Sequence, residues 1–164
     1  MIDKYFKYPV WWDLCISFAV IAILSLFLKV ELLAIPTKDK VFSVSGDIPP
    51  ISFTAAGFII TLLAILITFK SNTTASKKDY SESNSVFELF FVSDLYTETV
   101  KQFKKCIKSL IVVALSGYLL KLINSWKEVE VLFFYSVAGV LIISLTLWRC
   151  LLILNKILNL QGQE

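Results

Sequence analysis

The chain has 164 residues, of which 57% are hydrophobic and only 18% charged, with a mean hydropathy of +0.74 and a formal net charge of +3. A soluble domain is about 45–50% apolar and about 25% charged, and one of this size has no way to bury four long apolar runs without exposing much of them. A soluble fold is therefore excluded, and the small net charge gives no indication of direct nucleic-acid binding.

Histidine is absent, which removes the commonest general base, metal ligand and pH switch. The three cysteines, Cys15, Cys106 and Cys150, form no CxxC pair and no metal-ligand spacing. They are expected to be buried or membrane-flanking thiols rather than a disulfide framework.

A hydrocarbon core about 30 Å thick takes roughly 20 apolar helical residues to cross. Four runs qualify, at about 11–35, 51–69, 107–126 and 131–154. The expected fold class is therefore all-α: a polytopic membrane protein with four transmembrane helices in a single domain, 1–164. The first run opens with Trp11 and Trp12, which with Tyr5, Phe6 and Tyr8 suit an interfacial aromatic belt. Asp13 follows at the helix start, where the helix dipole favours an acid. Lys4 and Lys7 precede the run, but no A-x-A-like site follows it, so an uncleaved anchor is expected.

Pro36 to Pro50 is expected to form the first outer loop, with Pro50 starting the second helix, because proline suits a first helical turn. The second span carries no charge and shows a small-residue face. Thr54, Gly57, Thr61, Ala64 and Thr68 are spaced 3, 4, 3 and 4. Such faces let membrane helices approach closely. They serve either packing against neighbouring helices of the same chain or a hydroxyl-lined pore or sensing interface built from several copies.

Residues 70–106 are the only sizeable extramembrane stretch. Residues 71–84 read as a flexible polar loop. Ser85 and Glu88 fit a capping box at the start of a helix, and Val92, Tyr96, Val100, Phe103 and Ile107 then repeat every three or four residues. This predicts a cytoplasmic amphipathic helix preceding the third span and running into it. Phe90, Tyr96 and Phe103, with Lys101, Lys104, Lys105 and Lys108, are its candidate contacts with anionic lipid or a soluble partner. A lysine cluster beside a span also simply fixes topology.

The third span is interrupted by Lys108 and Lys121, and the first ends near Lys29 and Glu31; lysines this close to span ends snorkel to the headgroups. Asn124 to Glu130 is expected to be a tight outer link. Arg149 lies near the end of the fourth span. Eleven of the sixteen lysines and arginines fall on the side holding the N-terminus, the middle loop and the C-terminus. The positive-inside rule then places both termini in the cytoplasm, as an even number of spans also requires.

No nucleophile elbow, phosphate loop, metal cluster or intramembrane acid pair is present, so neither an enzyme nor a bound cofactor or metal is expected. The absence of an evident midplane charge or broken helix also argues against substrate transport. Two functional readings remain. One is a homo-oligomeric, non-enzymatic membrane subunit that docks or signals to a cytoplasmic partner. The alternative is a self-contained pore-forming or membrane-disrupting effector.

The short N-terminal tail, the run Thr54-Ala55-Ala56-Gly57-Phe58-Ile59-Ile60-Thr61 and the aromatic-rich helix before the third span carry a resemblance. Over most of its length the chain resembles, in architecture, the small four-span membrane proteins of bacterial anti-phage defence, with the membrane subunit of the two-component Kiwa system as the nearest case. The resemblance implies a homo-oligomeric inner-membrane sensor acting with a cytoplasmic DNA-binding partner protein. No functional residue is carried over from it.

Overall fold

The computed structural model describes residues 9–32, 34–76, 94–123 and 129–161. Four helices make up this part: α1 Pro9–Lys29, α2 Lys38–Ser76, α3 Asp94–Ile123 and α4 Val129–Gln161, with no strand among the described residues. Three of them, α1, α2 and α4, are long and apolar enough to cross a membrane. Residues 71–76 of the expected polar loop 71–84 instead continue α2; the rest of that loop, the expected capping box at Ser85–Glu88 and most of the link 124–130 lie outside the described residues.

Helix α1 is 21 residues long and ends without glycine. The Leu32 amide donates to the Phe27 carbonyl (3.1 Å) and the Glu31 amide to that of Leu28 (3.2 Å), with Glu31 at φ 57°. This is a Schellman closure, and a non-glycine residue fills its left-handed position.

Helix α2 corrects the expectation of an outer loop over 36–50. It starts at Lys38 and runs 39 residues with Pro49 and Pro50 inside it, about 58 Å at 1.5 Å per residue. Prolines remove two amide donors from the ladder, which is why the sequence suggested a boundary there. Packing offsets the loss. Pro49 and Ile48 are buried, and both are met by glycines. A Cβ at Gly117 of α3 would lie 2.6 Å from Pro49 Cγ, and one at Gly139 of α4 would lie 2.8 Å from Ile48 Cγ2. Glycine at these two crossings lets the proline-bearing segment seat against both neighbours, as neighbouring helices do for broken helices in membranes. Tyr135 of α4 closes the same junction, its hydroxyl donating to the Val113 carbonyl of α3 at 2.8 Å.

Helices α2 and α3 pair antiparallel along most of their length. The Lys121 ammonium lies against Gly46, Pro49 against Gly117, and the Lys70 ammonium 4.2 Å above the centre of the Tyr96 ring. Their shared core comprises Ala55, Ala56, Ile59 and Leu66 from α2 with Phe103, Cys106, Leu110 and Val113 from α3, and α4 adds Ile143, Cys150, Ile153 and Ile157. Helix α1 stands apart from this trio. It docks chiefly on α4 and touches α3 slightly, and most of its span is exposed.

A buried ion pair and thiol cluster as the candidate functional site

Polar side chains meet at the point where α1, α3 and α4 converge. On α1, Asp13 and Ser17 share one face a helical turn apart, and both are buried. Ser17 donates its hydroxyl to the Asp13 carbonyl at 2.8 Å. On α4, Thr146, Arg149, Cys150 and Ile153 occupy offsets of 0, 3, 4 and 7, which is the inward stripe of a helix, and all are buried. On α3, Gln102, Phe103, Cys106 and Leu110 form the matching inward stripe.

Arg149 organises the cluster. Its Nη2 donates to Asp13 Oδ2 in an ion pair whose side chains are 0% and 1% exposed. Its Nη1 reaches Cys106 Sγ at 3.8 Å, and Cys106 and Cys150 both belong to the buried core shared by α3 and α4. Desolvating two charges is expensive, and their attraction offsets that cost only when the geometry is good. An apolar pair would hold α1 on α4 at least as well, so the ion pair marks this position as special rather than merely stable. The cluster contains a guanidinium, and among the described residues no group of three or more potential metal ligands is found. Its chemistry is that of a paired charge with a buried thiol, Cys106, beside the guanidinium.

The sequence reading put Asp13 at a helix start and Arg149 near a span end; the structure adds that the two side chains pair with each other and are buried. The two were not linked in sequence because each sits alone in an apolar run. The available signal was their opposite sign, one on each of two runs, with both positions on the same side of the expected topology. Cys106 and Cys150 are buried, while Cys15 is exposed.

The small-residue face lies elsewhere. Thr54, Gly57, Thr61, Ala64 and Thr68 are all exposed, and α2 packs inside the chain through Ser52, Ala55, Ala56, Ile59 and Leu66 instead. The hydroxyls of Thr54, Thr61 and Thr68 donate back to the carbonyls of Pro50, Gly57 and Ala64 at 2.9, 3.0 and 3.0 Å. Nothing lies within 4 Å of a Cβ placed at Gly57.

Of the candidate contacts on α3, Tyr96 and Phe103 turn inward and are 8% and 0% exposed, so they build the core rather than a free face. Lys101, Lys104 and Lys108 are exposed and Lys105 is half-buried. Phe90 lies outside the described residues.

Two apolar grooves open on the surface. One, of about 650 Å³ between α2 and α4, is lined by residues including Pro50, Thr54, Phe58, Leu151 and Cys150. The other, about 470 Å³, lies among α1, the start of α2 and α4, with Lys40 and Ser136 among otherwise apolar neighbours.

The class that fold and cluster define is an all-helical bundle with three helices suited to a membrane and a buried charge pair tying the first helix to the last. No family model matches the chain, and no curated protein or solved structure matches it either.

Proposed function

We propose that the chain is a non-enzymatic inner-membrane subunit that self-associates through the outer face of α2 and presents the basic face of α3 to a cytoplasmic partner protein. The observation that carries this reading is the placement of the face Thr54, Gly57, Thr61, Ala64 and Thr68. All five are exposed rather than packed inside the chain, although small residues in membrane helices serve close approach. The threonine donors are already engaged by their own backbone, so the face is smooth and apolar in effect, which favours helix contact over the lining of a water-filled path.

In this reading α3 is a fourth span over residues 107–123. Between Lys108 and Lys121 its exposed side chains are Val112, Leu115, Tyr118 and Leu119, an apolar belt with a snorkelling lysine at each end. Four spans place both termini in the cytoplasm, with exposed Lys101, Lys104 and Lys108 on the cytoplasmic side. There they meet anionic headgroups or an acidic surface of the partner. The role as a sensor in anti-phage defence, acting with such a partner, follows the architectural resemblance noted above.

Cysteine cross-linking in native membranes tests the association face. In a Cys15→Ser background, Thr61→Cys is expected to give a covalent dimer on mild oxidation, and Ile60→Cys, about 100° away around the helix, far less. Equal cross-linking at the two positions, or none at either, overturns the assignment.

A further inference from the structure

We infer that the groove among α1, the start of α2 and α4 holds an acyl chain of one anionic glycerophospholipid, such as phosphatidylglycerol, with the lipid phosphate on Lys40. The inference rests on the proposed membrane placement and not on the self-association face.

The walls of the groove call for an apolar guest. Val20 of α1, Val41 and Val44 of α2, and Phe133 and Val140 of α4 are part of its lining. Ser136 also lines it, but its hydroxyl already donates to the Leu132 carbonyl of its own helix at 2.7 Å. The volume of about 470 Å³ falls within the roughly 300–1,000 Å³ typical of small-molecule sites. Val44 and Val140 are exposed, so the groove opens sideways instead of closing as a core. Helix α1 docks chiefly on α4, and the gap it leaves toward the start of α2 is this groove.

The rim calls for a negative charge on that guest. Lys40 is the one charged residue among those lining the groove. It lies in the first turn of α2, and Phe133 lies in the second turn of α4. The charged mouth is therefore at the helix starts, and the apolar part runs on toward the crossing of Ile48 and Gly139. Asp39 and Glu130 stand exposed at the same end but outside the lining, and among the described residues no carboxylate forms an ion pair with Lys40. A lysine stem lies along apolar surface while its ammonium stays at headgroup level, where an uncompensated cation attracts anionic lipid. A zwitterionic headgroup brings a cation of its own and gains less. An acyl chain seated here fills the space between α1 and α2 and adds a contact for α1, whose span is mostly exposed.

The test uses the full-length protein in nanodiscs of phosphatidylcholine, with and without a minor share of phosphatidylglycerol. Native mass spectrometry counts the lipids that stay on each chain after gentle activation, and thermal unfolding reads the stabilisation that a bound lipid gives the folded state. The wild-type chain is expected to retain a last phosphatidylglycerol and to melt higher when that lipid is present. Lys40→Gln should hold it about fivefold more weakly, the effect of one lysine at a membrane surface, and lose the shift in melting. Val140→Trp, at an exposed groove position, should lose the lipid although Lys40 is intact. Lys29→Gln removes the same charge outside the groove and should keep it. Equal retention of phosphatidylcholine overturns the inference, as does unchanged retention in Lys40→Gln or in Val140→Trp. A chain that stays in the membrane fraction yet holds no lipid in this way fails the inference alone, whereas a chain absent from the membrane fails the placement beneath it.

Discussion

The guanidinium of Arg149 and the carboxylate of Asp13 form an ion pair across 136 positions of chain, with both side chains closed to solvent. It ties α1, the most peripheral helix, to α4. Removing one partner leaves the other charge buried and unanswered, a change that costs about 3–5 kcal/mol. Asp13→Asn and Arg149→Gln should each lower stability in mild detergent on that scale. The double variant should lose much less than the sum, because it leaves no orphaned charge. Additive losses would show that the two residues act separately.

The glycines divide by what surrounds them. A methyl at Gly117 would stand 2.2 Å from the Tyr135 hydroxyl and 2.6 Å from Pro49 Cγ, so Gly117→Ala must push Pro49 of α2 and Tyr135 of α4 away from α3, and overpacking of this kind costs about 1–3 kcal/mol. Gly57→Ala meets open space and should leave the melting of the isolated chain unchanged or raise it slightly. Thermal unfolding of the two variants side by side checks this, and equal destabilisation would contradict the crossing described at Gly117.

Glu31 occupies a left-handed position at φ 57°, which costs a non-glycine residue about 1 kcal/mol or more. Glu31→Gly should therefore stabilise the end of α1, by a few tenths to about 1 kcal/mol once the added freedom of the unfolded chain is subtracted. Hydrogen exchange at the Glu31 and Leu32 amides should slow accordingly. Faster exchange there would rule out the Schellman closure.

Tyr135→Phe removes the 2.8 Å bond to the Val113 carbonyl and keeps the ring. The expected loss is about 0.5–1.5 kcal/mol, the usual net value of one such bond. A larger loss would mean that the hydroxyl holds more of the α3–α4 junction than this single contact.

The helices were largely legible because period and length are local properties. The run at 131–154 becomes α4, Val129–Gln161, and the run at 11–35 becomes α1, which stops earlier, at Lys29. The start of α2 was not legible, because Pro49-Pro50 reads as a boundary unless one knows that Gly117 and Gly139 receive that segment. The stripe of Tyr96 and Phe103 was visible as a stripe, but its partner was not: periodicity gives a face, not what covers it, and here α2 and α4 cover it. The Asp13–Arg149–Cys106–Cys150 cluster was the least legible feature. Its members come from three helices, Asp13 from α1, Cys106 from α3 and Arg149 with Cys150 from α4, and only the tertiary arrangement brings them together.

The central claim, a self-associating membrane subunit with a cytoplasmic partner, is tested most directly by gentle extraction of the tagged protein from its native membrane. Native mass spectrometry of what co-purifies then gives copy number and composition together. The account predicts several copies of this chain with one soluble protein in fixed ratio, and loss of the multiple-copy mass in Gly57→Leu while the chain stays folded. A wild-type chain that runs as a single copy with no stoichiometric companion would contradict it.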